Sequence, residues 1–85
     1  MSLKVGILMG GPSEERDVSL STGKAVAEAC KANGFQTTEF PFHFDHRKLL
    51  DDLKKQDIIF NALHGGIGEN GKIQTWMNKN GIRFT

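Results

Sequence analysis

Three observations predict a three-layer α/β fold with a parallel sheet in βαβαβαβ order. Two continuously apolar runs have strand length, segments of helical periodicity lie between the strand candidates, and glycine-rich loops follow both apolar runs directly. Strands buried on both faces read as unbroken apolar stretches, and helices joining parallel strands cross over with right-handed sense.

The elements follow in order. Leu3 to Met9 (LKVGILM) is a strand closed by Gly10-Gly11-Pro12. From Val18 to Asn33, the apolar or small residues Val18, Ala25, Val26, Ala29 and Cys30 recur at spacings that place them on one helix face, and Asn33-Gly34 ends the helix. Phe35 to Phe42 (FQTTEFPF) is a weaker strand. Pro41 lacks a ladder donor, so this strand lies at an edge or stops near Glu39. Asp45 can cap a short helix with an apolar stripe of Leu49, Leu50 and Leu53, and Lys54-Lys55 suits its C-terminal end. Asp57 to Leu63 (DIIFNAL) resumes the buried-strand pattern. The glycine-rich stretch from His64 to Gly71 leads into a helix carrying Ile73, Trp76 and Met77 on one side and ending at Asn80-Gly81. Arg83-Phe84-Thr85 begins a further strand.

An 85-residue chain fits one domain, 1–85. At this size about 60 to 65% of the unfolded surface can be buried, so stability is modest. The single cysteine, Cys30, forms no internal disulfide and reads as a small core residue, which favours a reducing compartment. Eleven basic residues stand against ten acidic ones, with no long basic block, which argues against nucleic acid. No stretch approaches the ~18 apolar residues of a membrane helix, and the N-terminal apolar run reads as a strand without a following cleavage site. A cytoplasmic protein is expected, with no membrane partner.

In such folds ligands bind beyond the carboxyl ends of the strands, where both glycine-rich loops fall and could face a common cleft. The first reads Gly10-Gly11-Pro12-Ser13-Glu14-Glu15-Arg16-Asp17. Adjacent glycines allow close approach to a ligand, but the loop matches neither nucleotide-loop pattern and carries three acidic residues, which suit an ammonium group better than a phosphate. A carboxylate near a helix N-terminus is favoured by the helix dipole, so Glu15 can bind a substrate amine; the bland alternative is a solvated charge cluster. In the second loop, His64 precedes Gly65, Gly66 and Gly68, with Glu69 five residues on. The imidazole can donate to a carboxylate or phosphate, pair with Glu69, or be a surface-loop histidine. His43 and His46 flank Asp45 with metal-like spacing, but zinc needs three or four convergent ligands, so no metal site is expected.

Two segments, Val5 to Gly23 (VGILMGGPSEERDVSLSTG) and Asn61 to Gln74 (NALHGGIGENGKIQ), strongly resemble the D-alanine:D-alanine ligases, in the right order and about fifty residues apart. Gly81 to Thr85 resembles the family's approach to its next loop, and the resemblance is weakest from Phe35 to Gln56. It implies the Rossmann-like, pre-ATP-grasp version of the three-layer fold and an N-terminal substrate-binding domain. The parent would be a carboxylate-amine ligase of the ATP-grasp superfamily that makes a peptidoglycan precursor, with ATP and Mg as cofactors. ATP phosphorylates the carboxylate of one D-alanine, and the amine of a second attacks the acyl phosphate. Carried over by motif, Glu15 holds the ammonium of the first D-alanine, Val18 lines its methyl pocket, His64 lies near its carboxylate and Glu69 supports the loop. Gly10, Gly11, Gly65, Gly66 and Gly68 shape the loop backbones. The resemblance further implies a homodimeric parent, with ATP and magnesium held by central and C-terminal domains absent from this chain. The expected continuation past Thr85 and the inactivity of the 85 residues alone follow from it. The alternative is a freestanding flavodoxin-like module binding a small anion or nucleotide at Gly10-Gly11.

Overall fold

The computed structural model describes residues 3–12, 14–63 and 71–85. Strand β1 (Lys4–Gly10), helix α1 (Arg16–Ala32), strand β2 (Gln36–Phe42), a 3-10 turn (His46–Leu49) running into helix α2 (Leu50–Lys54), strand β3 (Ile58–Asn61) and helix α3 (Lys72–Lys79) succeed one another. The strands form a parallel sheet in the order β2-β1-β3. Lys4 lies opposite Gln36 in one ladder and Val5 opposite Ile58 in the other. Phe84 adds a parallel bridge to Ile59, where the beginning of a further strand is expected.

The sheet has a helical layer on each face. Val5, Ile7 and Met9 pack with Ala62 against Ala27 of α1, while Leu8 faces the opposite cluster of Leu53, Ile73, Met77 and Ile82. Central placement explains why β1 is an unbroken apolar run: everything from Val5 to Gly10 is buried.

One expectation needs correction. Val18, Ala25 and Ala29 are exposed, and the buried stripe of α1 is Ser19, Gly23 and Ala27, with Leu20, Val26 and Cys30 half-buried beside it. The helix lies too close to the sheet for larger side chains at the contact: a Cβ on Gly23 would stand 2.8 Å from the Cβ of Met9. For β2, the structure takes the first of the two arrangements that Pro41 allows, an edge strand. It runs to Phe42, with Pro41 in register with Met9. The Gln36 N–H donates to Leu3 and the Phe42 carbonyl accepts from Gly11, so even-numbered residues of β2 bond toward β1. Pro41 therefore turns its missing donor away from the ladder and costs it nothing.

The Asp45 carboxylate accepts the Arg47 N–H at 3.1 Å and caps the 3-10 turn, as its position suggested. Its pKa is lowered, chiefly by the Arg47 side-chain hydrogen bond. Asn33 closes α1, its side-chain amide donating to the Ala29 carbonyl at 2.7 Å, and Gly34 follows at φ +86°.

Candidate functional site

The carboxyl ends of β1 and β3 lie side by side, and the β1 exit is held by a small hydrogen-bond network. Gly10 and Gly11 adopt φ of 93° and 85°, a region that glycine enters at little steric cost. The close approach they permit is to the protein itself. A Cβ on Gly10 would lie 2.6 Å from the Phe42 carbonyl oxygen and 2.7 Å from Nη1 of Arg16. That nitrogen donates to the carbonyls of Gly11, at 3.2 Å, and of Phe42. Gly11 in turn donates its N–H to the Phe42 carbonyl at 3.0 Å.

Ser19 completes the network. Its hydroxyl accepts the Gly10 N–H at 2.9 Å and donates to the Ala62 carbonyl at 2.7 Å. The N–H groups of both Gly10 and Gly11 are thus used inside the protein, and the anion cradle that adjacent glycines can form is not offered at these two positions.

Glu15 stands at the N-cap position of α1 and is exposed, and Val18, three residues on, is 49% exposed. A carboxylate and an apolar side chain three positions apart at a helix start are near neighbours. Together they offer a charged group beside a small apolar surface, with the helix dipole favouring the negative charge. His64, Gly65, Gly66, Gly68 and Glu69 lie outside the described residues. The chain is described up to Leu63, whose N–H is accepted by the Asn61 side chain at 3.1 Å.

The two remaining histidines go different ways. His43 stacks on the exposed Phe44 ring at 4.0 Å, and His46 packs edgewise against Trp76 at 4.6 Å and Phe42 at 6.0 Å. Burial lowers the pKa of His46, against an opposing pull from Asp45 and with a smaller contribution from Arg47. Among the described residues no three His, Cys, Asp or Glu side chains group to hold a metal ion.

Arg16 and Ser19 were absent from the sequence-derived site, although both leave a signal. An arginine in the first turn of a helix works against the dipole and calls for carbonyl partners, and Ser19, Gly23 and Ala27 recur every four residues as a stripe of small side chains.

Comparison with known proteins adds an independent line. No family model matches. The chain is 42% identical over 83 residues to a D-alanine:D-alanine ligase of Thermotoga maritima, covering 98% of this chain and 27% of that one. It is 46% identical over 84 residues to D-alanine:D-alanine ligase B of Mesorhizobium japonicum, covering 99% and 27%. A crystal structure of the Bacillus anthracis D-alanine:D-alanine ligase, complexed with ATP, superposes with a TM-score of 0.87 at 28% identity, covering all of this chain and 28% of that one. The chain is similar to the N-terminal region of D-alanine:D-alanine ligases. It spans about a quarter of the length of the ligases it matches. The segment so matched contains the β1 exit, the start of α1 and the β3 exit.

Proposed function

We propose that this chain is the N-terminal substrate domain of an ATP-dependent D-alanine:D-alanine ligase and supplies the site for the first D-alanine. The observation that carries the reading is the pairing of exposed Glu15 with exposed Val18 at the head of α1. The two match an ammonium group and the methyl beside it on a small amino acid. An ion pair at about 4 Å and an effective dielectric near 20 has roughly 4 kcal/mol of Coulomb energy before desolvation, enough to orient a small zwitterion. In this reading His64 lies near the substrate carboxylate and Glu69 supports its loop. Gly65, Gly66 and Gly68 give that loop its backbone freedom, as Gly10 and Gly11 do for the first. Holding the first amino acid in place contributes to rate because the reacting groups meet in a productive geometry.

ATP, with magnesium, supplies the phosphoryl group that activates the carboxylate. The donors for it are assigned to the rest of the ligase, as the resemblance implies, and the acidic side chains of the first loop suit an ammonium better than a phosphate. A cytoplasmic homodimer serving peptidoglycan precursor synthesis is the corresponding whole protein, and the 85 residues alone are inactive. The alternative, a small-anion module at Gly10-Gly11, is disfavoured by the internal use of both N–H groups.

Glu15→Gln in the full-length protein removes the charge while keeping the shape. It is expected to raise KM for the first D-alanine roughly ten- to a hundredfold, the worth of a hydrogen bond to a charged group. Wild-type kinetics in that variant would remove Glu15 from the site. His64→Ala is expected to impair turnover more than His43→Ala, and equal, negligible effects would make His64 an ordinary loop residue.

A further inference from the structure

Ser19 is fully buried, one turn into α1, on the helix face that meets the sheet through Gly23 and Ala27. A hydroxyl is a costly choice there unless every bond it can make is made. Ser19 makes two such bonds through its hydroxyl, to two separate pieces of chain, besides the helical bond of its backbone N–H. Its backbone N–H donates to the Glu15 carbonyl at 2.9 Å, its Oγ accepts from the N–H of Gly10 at the end of β1, and the same hydroxyl donates to Ala62 at the end of β3. One side chain therefore ties the loop ahead of Glu15 to the segment that ends two residues before His64. An alanine would fill the space nearly as well. What the hydroxyl adds is direction and register between two neighbouring strand ends, through bonds strengthened by a dry environment.

We propose that Ser19 is a positioning residue that fixes the β1 exit against the end of β3, so that Glu15 is held in register for the first D-alanine. The inference rests on the reading of Glu15 given above. Removing the hydroxyl leaves the Gly10 N–H and the Ala62 carbonyl buried without that partner, and the two strand ends shift apart or admit water. A displacement of about 1 Å between binding groups costs roughly ten- to a hundredfold.

The test is steady-state kinetics and thermal melting of the full-length protein carrying Ser19→Ala, Ser19→Thr or Glu15→Gln. Ser19→Ala is expected to raise KM for the first D-alanine by that factor with KM for ATP unchanged, and Ser19→Thr, which keeps the hydroxyl, recovers part of the loss. Should the alanine variant fail to fold, Ser19→Cys, which keeps the size and weakens both bonds, supplies the same readout. A lower melting temperature with wild-type KM for both substrates would overturn the proposal and leave Ser19 a scaffold residue. If Glu15→Gln raises the D-alanine KM and Ser19→Ala does not, only the positioning role falls. If Glu15→Gln has no effect, the site reading falls and takes this inference with it.

Discussion

His46 shows how a single side chain couples the helical layer to acidity. Its ring is wedged between Phe42 and Trp76, and its Nδ1 is buried without a hydrogen-bond partner among the described residues. Protonation would bring a second donor into a place with no acceptor, and burial accordingly lowers the pKa below the ordinary value of 6.5. The folded state thus binds this proton less readily than the unfolded chain. Stability contributed by neutral His46 is complete above about pH 6.5 and is lost as pH falls from there toward the depressed folded pKa. Asp45, adjacent and ionised in this window, reduces the effect, and Arg47 adds to it. Melting temperatures from pH 7.5 down to 5 are expected to fall less steeply in His46→Gln than in the parent. Parallel slopes would mean that other groups set the acid limit. From sequence, His46 could be read only as half of a metal-like pair, because its aromatic neighbour Trp76 arrives from thirty residues away.

Among the elements, β1, β3 and α3 were legible in the sequence, because burial on two faces or one helical stripe writes itself directly into residue order. Helix α1 was legible in extent and wrong in phase. Hydrophobicity pointed to Val18, Ala25 and Ala29, whereas contact distance selected Ser19, Gly23 and Ala27. Periodicity finds the greasiest side, and a helix seated directly on a central strand is governed by size. Gly23 makes the difference measurable. Alanine there gains about 1 kcal/mol of helix propensity, but its Cβ meets the Met9 side chain at 2.8 to 2.9 Å, and overpacking of this kind costs about 1 to 3 kcal/mol. Part of the clash is with the Met9 Cβ, which cannot swing aside as the sulfur and terminal methyl can. Gly23→Ala is therefore expected to lower the melting temperature by calorimetry. An unchanged or higher value would mean that α1 lifts off the sheet at little cost. At the candidate site, a motif drew attention to Glu15 and Val18, which the structure leaves exposed at the start of α1, while the Arg16 and Ser19 bonds were not legible. Their partners, Phe42 and Ala62, are 26 and 43 residues away.

At the scale of the whole molecule, the three-layer arrangement and its parallel order follow from the alternation of elements, and the sheet order β2-β1-β3 puts the most apolar strand in the middle. The two sides of this sheet differ. Beyond β3, Ile59 exchanges backbone bonds with Arg83 and Thr85, so the ladder extends in that direction. On the far side of β2 the outward-facing groups belong to Thr37, Glu39 and Pro41, and the proline leaves a gap in the row of donors. A visiting strand would find its hydrogen bonding interrupted there, with a carboxylate two residues away, and both features discourage templated stacking of one molecule on the next. Pro41→Val would restore the donor without disturbing the inner ladder. Concentrated solutions of that variant are expected to scatter more light with time than the parent, and equal scattering would locate the safeguard elsewhere. A residue that looks like a flaw in a strand thus leaves this edge without a continuous row of donors, a poor template for an incoming strand.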